Sequence, residues 1–502
     1  EWMDVPRILG ILHGKLAYLA EHSGRWLFRR IPFLDQLIER YAMDMLPNIV
    51  HEELASYLDS LRGSVSSAYK PDVLKDAPYV FIRYGEEAKL PDDLDATKPA
   101  VVIFAREAAD NEVEKVIERN NIVVLRPDTA REISKEDLSS RPDLKKYRTY
   151  WEALMEVMKR LKACERITDE VIKNEYMEAI RGAEEVFSFL KSKREAYKKE
   201  YDELRSFLLP RVYHAVVLKR AGKLKTIGGL SIRSEAPLAY AIELTLQNSG
   251  YLKKRLEGRE LEEVIKGYLG VNIREKKDGV SISDIWSFFL TSSKVEEIPI
   301  LHFNMLLEAV YDMIRSLDYA VKVDDKIYWK NVYEGRDAAS VVLSTHHRDE
   351  GDEAVKSLKK ILPKSYQNAK IVYWDHILDE WLEKQKPREG SRIAVLTPSG
   401  EVKAVEELKK EYNWRETLKD SILFYEELKV EVSLEPQQEP TIGEEFTLIL
   451  KVTPKTYSGR VKVEIDAGKI EISEREFESE LPIEKKLTIK IPSDMIYEDL
   501  YV

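Results

Sequence analysis

The sequence predicts a multidomain α+β and α/β protein. Its expected parts are a helical N-terminal segment, a small α/β domain with a long antiparallel helical arm, a winged helix, a second small α/β domain and a C-terminal immunoglobulin-like β-sandwich. Continuous apolar runs, long three- and four-residue periodicity and a strictly alternating tail predict this fold class. At 502 residues the chain is too long for one hydrophobic core. The predicted domains are 1–65, 66–225 with the arm inserted at about 143–209, 226–335, 336–428 and 429–502.

The N-terminal segment is predicted to be helical, because Leu9, Leu12, Leu16 and Leu19 recur at three- and four-residue steps. The α/β domain that follows depends on four short apolar runs, which are typical of strands covered on both faces. These runs are 79–82, 100–104, 122–125 and 214–218. A helix at 111–120 is expected between the second and third strands, and the arm lies before the fourth.

The arm shows the clearest helical periodicity in the chain. Thr168 is the predicted N-cap of a long helix, with Asp169 and Glu170 in its first turn. Apolar residues then keep helical spacing as far as Pro210. Together with an earlier helix that contains Trp151, this predicts an antiparallel arm that projects from the α/β domain.

The C-terminal half is predicted from short elements in a regular order. In the winged helix, helices at 261–268, 283–290 and 302–317 precede strands at 319–323 and 326–329. In the second α/β domain, strands are expected at 341–343, 371–374 and 393–396, and helices at 352–362, 376–383 and 402–412. From residue 429 onward, alternating apolar residues and turn residues predict the sandwich.

The composition narrows the class of function. A net charge of −11 argues against a general nucleic-acid coat, because phosphate binding needs local positive charge. The single cysteine, Cys164, excludes an internal disulfide, and no apolar run is long enough to cross a membrane. We therefore expect a cytoplasmic protein with no membrane contact. Abundant Lys and Glu favour a thermophile.

No nucleotide-binding motif is visible in the sequence. The P-loop pattern GxxxxGK[ST] is absent, since Gly14-Lys15 is followed by leucine and Gly222-Lys223 lacks the preceding glycine. No catalytic residue is predicted, and no cofactor is expected to bind this chain. Because Glu1 is not a methionine and helix-like sequence begins at once, we expect the chain to be a piece of a longer protein.

A basic stretch supports an alternative, stand-alone nucleic-acid-binding function. Its lysines and arginines could follow a phosphate backbone, and Tyr213 and Tyr251 could stack on bases. In the predicted third helix of the winged helix, however, Glu308 and Asp312 would face phosphate, which favours protein packing there. The candidate residues are Arg211, Lys219, Arg220, Lys223, Lys225, Lys253, Lys254 and Arg255.

A histidine cluster supports a second alternative, a metal-dependent hydrolase. His346, His347 and His376 lie at the predicted ends of two neighbouring strands, where imidazole nitrogens could bind a metal. Their spacing matches no known ligand motif.

Three stretches resemble a family of large archaeal and bacterial AAA-type P-loop ATPases of unknown function, often encoded in restriction or anti-phage gene clusters. Residues 26–38 (WLFRRIPFLDQLI) resemble the segment that follows the ATPase core of that family. Residues 118–128 (ERNNIVVLRPD) resemble a strand that precedes the helical arm. The pair SDIW at 283–286 and IPIL at 298–301 resembles the C-terminal winged-helix region.

The resemblance implies that this chain is the non-catalytic C-terminal half of such an ATPase. ATP and magnesium are then expected only in an ATPase domain upstream of this chain. A regulatory and partner-binding role, with a link to DNA-related defence, is then expected. The implied partners are other proteins or the upstream ATPase domain, and self-association is left open.

Overall fold

A computed structural model describes most of the chain. The described residues are 5, 8, 19–22, 25–28, 34–63, 68–177, 184–233, 235–292, 298–344, 350–387, 391–427, 429–437, 443–454, 460–466 and 470–492. They form two compact units, Glu1–Val271 with Ser283–Ala309 and Asn272–Ile282 with Val310–Val502. The mixed α+β class predicted from the sequence is confirmed.

A five-stranded sheet is the centre of the first unit. The first three strands are parallel and the last two are antiparallel, in the order β3-β4-β5-β6-β7. The strands are β3 (Tyr79–Ile82), β4 (Ala100–Phe104), β5 (Ile122–Leu125), β6 (Ala215–Arg220) and β7 (Lys223–Gly228). Every residue of β4 and β5 is buried, which explains their unbroken apolar sequences. The four predicted runs are therefore confirmed as strands, and helix α3 (Asp110–Val116) joins β4 to β5.

Helices cover one face of this sheet. They are α1 (Leu34–Met43), α2 (Pro47–Ser60), α4 (Lys135–Ser140), α5 (Tyr150–Arg166), α6 (Asp169–Glu175) and α7 (Glu184–Val212). One hydrophobic core contains Leu37 of α1, Leu54 of α2, Leu154 of α5, Leu208 of α7 and Val123 of β5. The predicted antiparallel pair is present as α5 and α7, but its helices also pack on α1 and α2 instead of projecting alone.

The predicted long helix is divided in the structure. Thr168 is confirmed as an N-cap, because its Oγ1 accepts a hydrogen bond from the Val171 amide at 3.3 Å. Helix α6 then ends at Glu175, because the backbone of the C-cap residue Tyr176 is no longer helical. Pro210 does not end α7, which continues to Val212. A proline near a helix end is tolerated when only one backbone bond is lost.

Two strands correct the all-helical prediction for 1–65, whereas Leu9, Leu12 and Leu16 lie outside the described residues. Strands β1 (Leu19–His22) and β2 (Arg25–Phe28) pair as an antiparallel hairpin. Helical sequence is confirmed from Leu34 onward.

The predicted elements of the winged helix are present, with one strand added from outside. After α8 (Leu238–Asn248) come α9 (Gly258–Tyr268), β8 (Val280–Ser281), α10 (Ile282–Thr291), α11 (Phe303–Arg315), β9 (Tyr319–Val323) and β10 (Lys326–Tyr328). The turn at Asp324, with φ of +51°, joins β9 to β10 as predicted. Strand β12 (Ala369–Tyr373) lies between β8 and β9 in the sheet order β10-β9-β12-β8. A sheet therefore crosses the predicted boundary at 335.

Residues 332–333 and 336–427 form a second small sheet, β11-β15-β13-β14, with helices around it. Its strands are β11 (Val332–Tyr333), β13 (Ser391–Leu396), β14 (Val402–Ala404) and β15 (Ile422–Glu427). Its helices are α12 (Arg336–Ser344), α13 (Asp352–Ser365), α14 (Trp374–Lys384), α15 (Val405–Leu408) and α16 (Trp414–Asp420). The strand predicted at 341–343 is wrong, since it lies in α12.

The burial pattern of α12 explains why residues 341–343 were predicted as a strand. Ala339, Val342 and Leu343 pack against the core around Ala394 and Phe424, while Val341 is 64% exposed. Buried positions three and four residues apart lie on one helix face, and a short apolar run does not distinguish this pattern from a strand. The predicted helix at 402–412 is likewise replaced by β14 and the shorter α15.

The C-terminal region is built from antiparallel strands, as the alternating pattern predicts. Its strands are β16 (Val430–Pro436), β17 (Glu445–Pro454), β18 (Arg460–Glu464), β19 (Glu471–Ile472), β20 (Glu476–Glu480) and β21 (Ile483–Lys490). They form the sheets β16-β17-β21-β19 and β18-β20. Leu450 and Leu487 of the larger sheet share a core with Phe477 of the smaller one.

Among the described helices, none combines the length and apolar character that a membrane span requires.

Candidate ligand site at the carboxyl edge of the sheet

The five-stranded sheet brings several polar loops to one edge. Strands β3, β4 and β5 are parallel, so their carboxyl ends meet there. Strand β6 is antiparallel to β5 and therefore begins at the same edge. In open α/β sheets this edge is the usual place for a ligand.

A cavity of about 390 Å³ near α13 and α14 and a cavity of about 300 Å³ at this edge are two pockets of the described chain. The second cavity lies next to five polar side chains. Its polar lining is Arg126, Asp128, Thr129, His214 and Thr226, and its apolar lining is Ala108, Pro127, Ala130, Val212, Ala215 and Val217. We treat it as the candidate site, because polar groups converge on it from three different segments.

An imidazole–carboxylate pair lies at the centre of the site. The Nε2 atom of His214 is 2.9 Å from Oδ2 of Asp128, and both side chains are partly exposed. A carboxylate can only accept, so Nε2 carries the hydrogen, and in the neutral imidazole Nδ1 is then an acceptor. The two residues are 86 positions apart in sequence.

Two further pairs hold the rim of the cavity. Arg126 forms an ion pair with Asp110, the first residue of α3. The Thr129 hydroxyl donates to Oε1 of Glu107 at 3.1 Å. The Asp128 amide also donates to the Val212 carbonyl at 2.9 Å, which ties the loop after β5 to the end of α7.

A partly buried ion pair fixes the rest of that loop. The Arg211 guanidinium donates to both carboxylate oxygens of Asp137, at 2.6 and 2.8 Å, and Tyr150 donates to the same carboxylate at 2.5 Å. The hydrogen bonds from Arg211 lower the pKa of Asp137 in spite of its partial burial. The Arg131 guanidinium completes the link by donating to the Arg211 carbonyl at 2.9 Å. The loop is therefore held in place before any ligand arrives.

This site was not predicted from the sequence. The available signal was the polar segment Arg126-Pro127-Asp128-Thr129 directly after a buried strand, and a histidine directly before another. Only the antiparallel placement of β6 beside β5 brings His214 to Asp128. The arrangement can bind a small polar molecule, and the imidazole can accept a proton from it.

The predicted basic stretch is divided between two edges of the sheet. Arg211 lies near the carboxyl edge, bound to Asp137, whereas Arg220 reaches the opposite edge and donates to the Asn120 carbonyl at 3.0 Å. Arg220 is only 3% exposed, and burial lowers its pKa to about 10. It is therefore poorly placed to contact a phosphate backbone.

Other members of the basic stretch lie near that second edge. Lys223 and Lys225 are exposed on β7, and Lys225 lies 4.9 Å from the ring centre of Tyr251. Lys253 pairs with Glu260 at 2.9 Å and Lys254 with Asp72 at 2.8 Å. Lys219 is half-buried and Arg255 is exposed.

The two tyrosines proposed for base stacking differ in access. Tyr213 is fully buried, and its hydroxyl donates to the Phe104 carbonyl at 2.7 Å. The expectation that Tyr213 stacks on a base is therefore wrong, because its ring has no exposed face. Tyr251 is half-buried and keeps partial access.

The predicted metal ligands are only partly within the described residues. His346 and His347 lie outside them. His376 is in the first turn of α14, where its ring meets Tyr373 edge-on at 5.7 Å, and the neighbouring Asp375 accepts from Arg415 at 2.9 Å. Within the described residues no group of three or more potential ligands could hold a metal ion.

Comparison with protein families gives two matches. Residues 34–227 match the model described as the DUF499 third domain, and residues 248–427 match the DUF499 4th domain. No curated protein and no solved structure matches the chain. The first match contains the five-stranded sheet, its helices and the candidate site.

Proposed function

Because the chain contains the third and fourth domains of DUF499, we propose that it is the non-catalytic regulatory and partner-binding part of a larger AAA-type ATPase. The protein would act in the cytoplasm, and its role would be in DNA-related defence. ATP and magnesium would bind an upstream ATPase domain, which would be its main partner. Third and fourth domains imply a family architecture with further domains, and this supports the proposal.

One observation carries the regulatory role. A single hydrophobic core joins α1, α2, α5 and α7 to one face of the five-stranded sheet. Packed elements with shared side chains move together, because close-packed interiors are not continuously deformable. A displacement applied to the helices by a partner would therefore reach the polar edge of the sheet.

The test combines this chain with its native upstream region, expressed separately. ATP hydrolysis by the upstream region is expected to change about fivefold or more when the chain is added, as typical coupling energies predict. The chain alone should not hydrolyse ATP. Hydrolysis by the chain alone, or no binding and no change in rate, would contradict the proposal.

A matched pair of variants makes this test specific. Leu208→Ala removes a fully buried side chain of α7 from this shared core and should reduce the effect on ATP hydrolysis. Lys199→Ala, on the same helix but with an 80% exposed side chain, should leave it unchanged. Circular dichroism melting curves would show that both variants are folded at the assay temperature.

The proposal also includes two domain types, a winged helix and an immunoglobulin-like sandwich. The order of α9, α10, α11 and the β9–β10 hairpin supports a winged helix, and the two antiparallel sheets with a common core support an immunoglobulin-like sandwich. The insertion of β12 between β8 and β9 would be a departure from an ordinary winged helix.

Nucleic-acid binding is the second candidate, favoured by the exposed Lys223 and Lys225 beside Tyr251. A gel shift that weakens steeply with salt and disappears after charge reversal at these lysines would support it. Binding that is unchanged by the reversal would exclude this surface.

A further inference from the structure

We propose that the carboxyl-edge cavity binds a small free α-amino acid in its zwitterionic form. The inference concerns the cavity lined by Arg126, Asp128 and His214 and does not depend on the ATPase role. It is argued from charge, donors, acceptors and size.

Arg126 is the group that would hold the carboxylate of the ligand. A guanidinium has five N–H donors in a planar fork, which suits a carboxylate. Asp110 accepts from Nη1 only, and no other described residue accepts from the remaining donors of Arg126. The side chain is 28% exposed, so these donors can reach a molecule in the cavity.

Asp128 and His214 would hold the ammonium group. Oδ2 of Asp128 already accepts from His214, which fixes the direction of the carboxylate. Oδ1 of Asp128 and Nδ1 of His214 have no donor among the described side chains. Both are acceptors, and an ammonium group has three donors to share between them.

The charge balance selects a zwitterion over an anion. Arg126 and Asp128 are the charged residues of the lining when His214 is neutral, and their formal charges cancel. Asp110 and Glu107 each add a negative charge at the rim. A phosphate or a dicarboxylate would therefore meet insufficient positive charge, whereas a zwitterion matches both signs.

The size of the cavity and the rigidity of its loop also favour a small zwitterionic ligand. A cavity of about 300 Å³ with walls of Ala108, Ala130, Ala215 and Val217 suits a molecule with a small apolar side chain. The bonds from Asp137 to Arg211 and from Asp128 to Val212 already hold the loop. Little ordering entropy is then lost on binding, which favours affinity for a small ligand.

The test uses the full chain and calorimetric titration with L-alanine, lactate and ethylamine. Alanine should bind, and each of the two analogues, which lacks one charged group, should bind at least about tenfold more weakly, a difference of about 1.4 kcal/mol. This comparison needs no variant. Equal binding of alanine and lactate, or no binding of alanine at millimolar concentration, would overturn the proposal.

Variants assign the contacts. Arg126→Met should weaken alanine binding about tenfold or more, and Asp128→Asn should weaken alanine but change lactate little. Lys89→Met, which removes an exposed lysine that is not part of the cavity lining, should behave like the wild type. Alanine binding that survives both site substitutions would place the ligand elsewhere. The assay contains no ATP, so its outcome is separate from that of the hydrolysis experiment.

Discussion

At the scale of single residues, a buried lysine is held by an ion pair and several hydrogen bonds. The Nζ of Lys330 is 2.7 Å from a carboxylate oxygen of Glu350, and both side chains are almost fully buried. It also donates to the carbonyls of Leu418 and Lys419, at 3.2 and 2.5 Å, and to that of Ser421. These carbonyls end helix α16, so the lysine caps that helix. Burial lowers the pKa of Lys330, and Glu350 opposes this shift.

Replacing this lysine should strongly lower the stability of the fold. Lys330→Met removes the cation that pairs with a buried carboxylate and donates to three carbonyls, so we expect a loss of about 3–5 kcal/mol in the free energy of unfolding. Urea unfolding would measure it, with Lys326→Met on the exposed part of the neighbouring strand as the control. Equal stability of the two variants would show that the ion pair contributes nothing.

A half-buried histidine should make the stability depend on pH. Nδ1 of His51 donates to the Ala105 carbonyl at 2.5 Å, and the ring stacks on Tyr84. Burial lowers the pKa of His51 below the value of about 6.5 that applies in the unfolded chain. His302 is shifted in the same direction, also by burial. Between the folded and unfolded pKa values the unfolded chain binds more protons, so acid favours unfolding.

The lowered pKa of His51 determines how the stability should change with pH. The stabilisation is complete above the unfolded pKa and is lost as the pH falls through the folded pKa. From pH about 7.5 to about 5.5 the free energy of unfolding should decrease more for the wild type than for His51→Gln. Glutamine keeps a donor for the Ala105 carbonyl but does not titrate. Parallel curves for the two proteins would contradict the assignment to His51.

At the scale of elements, helix α5 is set by the residues at its start. The Thr149 hydroxyl accepts from the Glu152 amide at 3.2 Å, and the Glu152 carboxylate accepts from the Thr149 amide at 3.3 Å. This reciprocal capping box begins the helix that packs on α1, α2 and α7. The position of α5 therefore depends on a local signal at the loop that leaves the candidate site.

Removing this cap should have a moderate effect. Thr149→Ala leaves one amide at the helix start without its acceptor, so we expect a loss of about 0.5–2 kcal/mol. The midpoint and slope of urea unfolding would give this value. Ser139→Ala is the matched control, because its exposed hydroxyl only donates to the Lys135 carbonyl. A cost equal to that of the control would mean that water replaces the cap.

At the scale of the whole molecule, strand pairing decides which segments can be separated. Strand β12 pairs with β9 over five positions and with β8 over two. The strands of the C-terminal region, by contrast, pair only with one another among the described residues. The region 226–335 therefore depends on sequence beyond its predicted end, whereas the sandwich has its own sheets and core.

Truncation would test this difference. A chain ending at residue 335 should lose protection from amide hydrogen exchange at β9, because β12, one of its two partner strands, is absent. A chain ending at residue 428 should keep that protection. Equal protection in both truncated chains would show that the β9–β10 hairpin is stable without β12.

Local patterns in the sequence were enough for many elements. The apolar runs of β4 and β5, the N-cap at Thr168 and the alternation of β17 and β21 each depend on residues that are neighbours in the chain. Hydrogen bonds within one helix turn and burial of alternate side chains act over such short distances. These elements were therefore predictable without any knowledge of the fold.

Tertiary structure decided the remaining features. Whether residues 341–343 are helix or strand depends on the core around Phe424, and the place of β12 depends on two strands far away in sequence. The candidate site likewise needs His214 and Asp128, 86 positions apart, to meet across the sheet. Contacts of this kind come from the packing of all elements together, because only the assembled core determines which strand edges become neighbours.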